Sequence, residues 1–115
     1  MTPKQRLQKM KKIPAELLEE IVERLKDGLH PDKIILFGSH AYGKPNDDSD
    51  IDLLIILPES NEPSYRRAQK AYRYLRGLTA PTELVVTTRQ EVEQALTVPS
   101  SLITLAFNRG KVLYE

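Results

Sequence analysis

Asp50 and Asp52 open an apolar run, Ile51 to Leu57, and the single residue between them sets the chemistry. Side chains alternate along a strand, so both carboxylates point to one face while Ile51 and Leu53 go to the other. Carboxylates held together repel, and at neutral pH a shared proton or a divalent cation relieves them. Ahead of Asp50, across a ten-residue spacer, the apolar segment Lys33 to Phe37 runs into Gly38-Ser39. Such a small-residue turn exposes backbone N–H groups that can hold an anion such as a phosphate. A third acid, Glu83, shares a strand face with Val85 and Thr87, an awkward place for a charge unless it meets the aspartates. Three acids converging from neighbouring strands would hold one or two Mg²⁺, which can bridge a nucleotide's phosphates and orient an attacking hydroxyl. The plain alternative leaves Asp50 capping a loop, Asp52 solvated and Glu83 at a strand edge; the three acids together with the Gly-Ser turn favour the metal site.

The elements that must position these residues follow from periodicity. Pro14 suits a first helical turn, Glu16, Glu19 and Glu20 favour its positive end, and Leu17, Leu18, Ile21, Val22 and Leu25 recur at helical spacing up to a stop at Gly28. Lys33 to Phe37 reads as a strand, Ser39 to Tyr42 as a helical turn at most, and Lys44 to Ser49 as a polar loop. The run Ile51 to Leu57 is continuously apolar after Asp52, the pattern of a central strand covered on both faces. In Pro63 to Arg76, helical spacing predicts Tyr65, Ala68, Tyr72 and Leu75 as the core face, Tyr74 as more exposed, and Arg66, Arg67, Lys70, Arg73 and Arg76 as a solvated basic face. A strand from Thr82 to Thr87 follows, then a helix from Gln90 to Leu96, a short helix opened by Pro99-Ser100 and ended by Gly110, and an edge strand from Lys111 to Tyr114. Helices alternating with strands argue an α/β or α+β sheet covered by helices.

Competing motifs fail on physical grounds. Gly38 to Lys44 matches a phosphate-binding P-loop until the next position, where a hydroxyl residue should meet magnesium and Pro45 stands instead. Asp48, Asp50, Asp52 and Glu59 are spaced like a calcium-binding EF-hand loop, but the glycine that its sharp turn requires is replaced by Leu53. Ser39 beside His40 is no nucleophile and base pair, because adjacent residues rarely face each other; His40 is expected as a loop or nucleotide contact and His30, before Pro31, as a helix-end residue.

The composition bounds the rest. At 115 residues the chain is sized for one domain, spanning 13–115 behind a basic lead-in of residues 1–12, whose stretch Lys4 to Lys12 holds five basic and no acidic side chains. With 17 Lys+Arg against 16 Asp+Glu, bulk electrostatics gives no reason to expect a nucleic-acid partner. The absence of cysteine excludes disulfides, thiolate zinc sites and cysteine nucleophiles. No apolar run approaches the ~20 residues that cross a membrane. A soluble cytoplasmic protein is the expectation, with oligomeric state left open.

The stretch GSHAYGKPNDDSDIDLLIIL, Gly38 to Leu57, resembles the signature of the DNA polymerase β-type nucleotidyltransferase superfamily, and the small size is similar to its minimal nucleotidyltransferase branch. The likeness is specific from Lys33 to Leu57 and continues loosely from Ala15 through TELVVT to the terminal GKVLYE. It implies a mixed β-sheet with helices packed on it, like the polymerase palm, and a site in which Gly38 and Ser39 hold the triphosphate, Asp50 and Asp52 bind Mg²⁺, and Glu83 joins them as the third acid that assists the attacking hydroxyl. Many relatives carry arginine where His40 or Tyr42 stands and aspartate where Glu83 stands. The resemblance further implies transfer of a nucleoside monophosphate, AMP from ATP, onto a protein hydroxyl, and a role as the antitoxin beside a helical HEPN-type ribonuclease. The alternative is a non-catalytic antitoxin or binding subunit that neutralises its partner by contact.

Overall fold

Four apolar segments pair into one mixed sheet in the computed structural model, which describes residues 13–45 and 49–115. The strands are β1 (Lys33–Phe37), β2 (Ile51–Leu57), β3 (Thr82–Thr88) and β4 (Lys111–Tyr114), in the order β3-β2-β1-β4. β1 runs antiparallel to both β2 and β4, while β2 and β3 are parallel. The parallel pair needs a crossover, and a helix supplies it. Among the described residues five helices complete the order: α1 (Ala15–Leu29) before β1, α2 (Ser39–Tyr42) after it, α3 (Ser64–Tyr74) between β2 and β3, and α4 (Arg89–Ala95) with α5 (Leu102–Arg109) between β3 and β4. The mixed α/β architecture expected from the sequence is the one observed. The lead-in Lys4 to Lys12, and Asn46 to Asp48 of the polar loop, lie outside the described residues.

Strand alternation divides the core in two. Ile34, Leu36, Ile51, Leu53, Ile55, Leu84 and Val86 bury one face against Ile21 and Leu25 of α1 and against Ala71 of α3 and Leu75 just beyond it. Ile35, Phe37, Leu54 and Ile56 bury the other against Val92 of α4 and Ala106 of α5. β2 carries residues in both clusters, as its unbroken apolar run requires. Asp52 and Glu83 belong by parity to the second face, at the end of the strands that α2 flanks.

Helix ends differ slightly from the sequence expectation, for local reasons. α1 passes through Gly28 and stops one residue later, where His30 turns left-handed (φ 50) and its N–H bonds the Lys26 carbonyl before Pro31. α4 starts at Arg89 because Thr88 and Glu91 form a capping box, each side chain accepting a hydrogen bond from the other's backbone N–H. Ser101, rather than Pro99-Ser100, caps α5, its hydroxyl accepting from the Thr104 N–H.

The larger correction concerns α3. Tyr65 and Tyr72, read from spacing as core, are 61% and 41% exposed, while Arg67, read as part of a solvated basic face, is 7% exposed. The helix is rotated so that Arg67, Ala71 and Leu75 face the sheet and the tyrosine stripe overhangs the edge strand β3. A buried guanidinium is tolerable only when its donors are met. Arg67 donates to the Glu62 carbonyl (2.9 Å), the Val86 carbonyl (3.0 Å) and both carboxylate oxygens of Glu91 (2.6 and 3.2 Å). This fork ties α3, β3 and α4 together, and it holds the Glu91 carboxyl down to about 2. Lys70 also has a partner, Glu62 at 3.1 Å.

Candidate active site

The site forms where two registers meet. Antiparallel pairing of β1 with β2 sets Phe37 opposite Asp52, so the next residue, Gly38, turns beside the Asp52 side chain. Only glycine fits there. Its backbone lies at φ 74, ψ −157, a region essentially closed to L-residues, and a Cβ on it would overlap the Asp52 carboxylate. The Gly38 carbonyl then accepts the N–H groups of Ala41 and Tyr42, each at 3.0 Å, which starts α2 and leaves the Ser39 and His40 N–H groups outside its ladder.

Parallel pairing of β2 with β3 sets Glu83 level with Asp52, on the same sheet face. Asp52 is held above the ordinary carboxylate range, first by burial, then by repulsion from Glu83 and from Asp50; His40 partly offsets this. Asp50, immediately before β2, and Glu83 are exposed, whereas Asp52 is half-buried. His40 reaches across the polar loop, its Nε2 lying 3.2 Å from the Ser49 carbonyl oxygen, and so ties the turn to the segment that leads into β2.

The donors of this acid set are all carboxylate oxygens, the ligands a hard divalent cation takes, and a cation there would relieve the crowding that lifts Asp52. The residues therefore fit Mg²⁺. Among the described residues, no three acidic or histidine side chains are already closed into a metal-binding group as they stand.

One cationic group near the turn had no signal in the sequence. Arg109, at the end of α5, places its guanidinium 4.7 Å from the centroid of the Tyr42 ring on α2. It lies 67 residues along the chain from Tyr42, so only the packing of α5 against the sheet reveals it. Arg66, Arg73 and Arg76 remain exposed, so the basic face of α3 survives without Arg67.

The comparisons with known proteins agree with this fold. The family model for a nucleotidyltransferase domain matches residues 15–112. "Putative protein adenylyltransferase MJ1379" of Methanocaldococcus jannaschii is 37% identical over 60 residues, which is 52% of this chain and 60% of that protein. "Putative protein adenylyltransferase MJ0141" of the same organism is 42% identical over 55 residues, 48% of this chain and 52% of that protein. The matched segments thus span little more than half the length of these relatives. The crystal structure of "a putative nucleotidyltransferase from Sulfolobus solfataricus" superposes with a TM-score of 0.56 at 27% identity, covering 69% of this chain and 70% of that one.

Proposed function

The chain belongs to the nucleotidyltransferase domain family, and from that premise we propose that it transfers AMP from ATP to a hydroxyl of a partner protein, releasing pyrophosphate, in a reaction that depends on Mg²⁺. The observation that carries this reading is the meeting of the Gly38 turn, Asp52 and Glu83 through two independent strand registers. In the proposed reaction the Gly38-Ser39 turn seats the triphosphate, and Asp50 and Asp52 hold the metal with Glu83 completing the acid set. Bound Mg²⁺ would neutralise charge on the phosphates and favour ionisation of the acceptor hydroxyl. Glu83 takes the hydroxyl proton, the acceptor oxygen bonds to the α-phosphorus, and the bond from that phosphorus to the oxygen leading to the β-phosphate breaks, so that pyrophosphate leaves.

The names of the Methanocaldococcus relatives support a protein as acceptor and adenylyl as the group transferred. The partner we propose is a HEPN-type toxin that this chain, as antitoxin, silences by adenylylating a tyrosine. The test is intact-mass spectrometry of the purified pair with ATP and Mg²⁺, in which the partner gains one or more AMP groups. A second reading, neutralisation by contact alone, draws on an apolar patch: Leu96 and Val98 after α4 and Leu102 and Leu105 on α5 are 38–49% exposed. Relief of toxicity with no change in the partner's mass would favour contact over transfer. Among the described residues no helix is long and apolar enough to cross a membrane.

A further inference from the structure

β3 is an edge strand, and its outer edge is only partly covered. In a strand the N–H and C=O of one residue point to the same side, so the outward groups recur at every second residue. The Tyr72 hydroxyl accepts from the Leu84 N–H (2.9 Å) and donates to the Thr82 carbonyl (3.4 Å). Arg67 donates to the Val86 carbonyl (3.0 Å). Between these two caps the Leu84 carbonyl and the Val86 N–H face the same edge, and among the described residues no side chain bonds them. A hollow of about 250 Å³ opens at that gap, lined by Ser64, Tyr65, Ala68, Leu84, Val85 and Val86. A free acceptor and a free donor flanking one residue are what the backbone of an added parallel strand would meet.

We propose that this gap is the docking strip for the acceptor of the reaction proposed above: an extended, acidic polypeptide segment, bridged by its main chain to Leu84 and Val86, that brings a hydroxyl side chain beside Glu83. One partner residue would donate its N–H to the Leu84 carbonyl and accept from the Val86 N–H, and would thereby stand next to Val85. The residue two places earlier falls level with Glu83 on the Asp52 face, one strand spacing of ~4.8 Å away; there its main chain would replace the exposed Tyr72 hydroxyl on the Thr82 carbonyl and the Leu84 N–H, bond for bond. Charge selects the occupant. Arg66 and Arg73 flank the Tyr65–Tyr72 stripe on its solvent side by helical geometry, and neither enters an ion pair among the described residues. The aromatic stripe, awkward as a core, fits as one wall of a peptide groove.

The proposal rests on the transfer reading for its hydroxyl, and the experiment separates the two. An array of short peptides, each centred on a tyrosine, serine or threonine, with flanks graded from basic to acidic and from helix-forming to β-branched, is probed twice with the full chain: for binding without ATP, and for labelling with adenine-labelled ATP and Mg²⁺. Acidic, β-branched members should bind and be labelled best. Val86→Pro, which removes the free N–H, and Tyr65→Asp, which repels acidic flanks and lies outside the core should Val86→Pro fold poorly, should each lower peptide binding and labelling about tenfold, with ATP affinity unchanged by calorimetry. Reversing charge with Arg66→Glu and Arg73→Glu should move the preference toward basic flanks. Peptide binding that disappears in Tyr65→Asp, without labelling of any member, keeps the docking strip and refutes transfer to proteins. Labelling undiminished in folded Val86→Pro and Tyr65→Asp overturns the docking strip and keeps transfer. A wild-type chain that neither binds nor labels any member overturns it as well. So does a wild-type dimer that Val86→Pro makes monomeric, since the edge would then belong to a second copy of the chain.

Discussion

Gly38→Ala tests the core of the reasoning, because the structure assigns this glycine two separable duties. One is conformational: at φ 74, ψ −157 an alanine is strained by ~1–3 kcal/mol. The other is steric, since the new Cβ would occupy the place of the Asp52 carboxylate and must displace it. For a domain of this size roughly 4 °C of melting temperature accompanies each kcal/mol, so the strain alone should lower Tm by roughly 4–12 °C. The displacement should cost transfer about 100-fold or more, as a shift of ~1 Å in a reacting group does. The two duties separate in a double-mutant cycle with Asp52→Ala, followed by urea unfolding. With the carboxylate gone, Gly38→Ala should pay strain but little clash, giving a coupling of ~0.5–3 kcal/mol. Additivity within ~0.5 kcal/mol, together with retained nucleotidyl transfer by Gly38→Ala, would refute the claim that the turn is built against Asp52.

Asp50→Asn with Asp52→Asn should abolish transfer while leaving the domain as stable as the parent or more so at neutral pH, measured by thermal unfolding. Asp52 sits above its ordinary range, so its charge costs folding free energy at neutral pH; that cost vanishes as pH falls through its folded pKa, and the variant's advantage should shrink on acidification. Glu91→Gln should cost ~1–3 kcal/mol, because Arg67 is buried while Glu91 is 44% exposed and partly screened. The Glu91 carboxyl is lowered from 4.5 to about 2, so the stability it contributes is present above pH 4.5 and lost as pH falls through about 2; an acid titration of parent and variant should converge there. Arg109→Ala should raise KM for ATP roughly tenfold, the worth of a hydrogen bond to a charged group, with kcat and melting temperature little changed; an unaltered KM would remove Arg109 from the nucleotide's surroundings.

Much of the site was legible because it depends on parity and local chemistry. Asp-x-Asp at the head of a strand must share one face, Gly38-Ser39 at the end of another must turn, and apolar runs bounded by polar or small residues must pair in a sheet. The Thr88-x-x-Glu91 capping box was equally readable and marks the start of α4 better than periodicity does. What a linear pattern lacks is the set of neighbours across the sheet. That Gly38 lies against Asp52 follows from Phe37 pairing with Asp52, and that Glu83 meets Asp52 follows from the parallel register of β2 and β3; each is a long-range choice made by the fit of the whole core. The rotation of α3 is the same kind of decision. Spacing put Tyr65, Ala68, Tyr72 and Leu75 on the core face and Arg67 on the basic one, whereas the helix buries Arg67, Ala71 and Leu75. An arginine is disfavoured inside until a partner is known, and the partner, Glu91, stands on a helix beyond the next strand. Local residues determined which elements form and which side chains could do chemistry. Tertiary structure decided which of those side chains meet, because the free energy of burying Arg67 or crowding Asp52 depends on groups that come together only when the sheet closes.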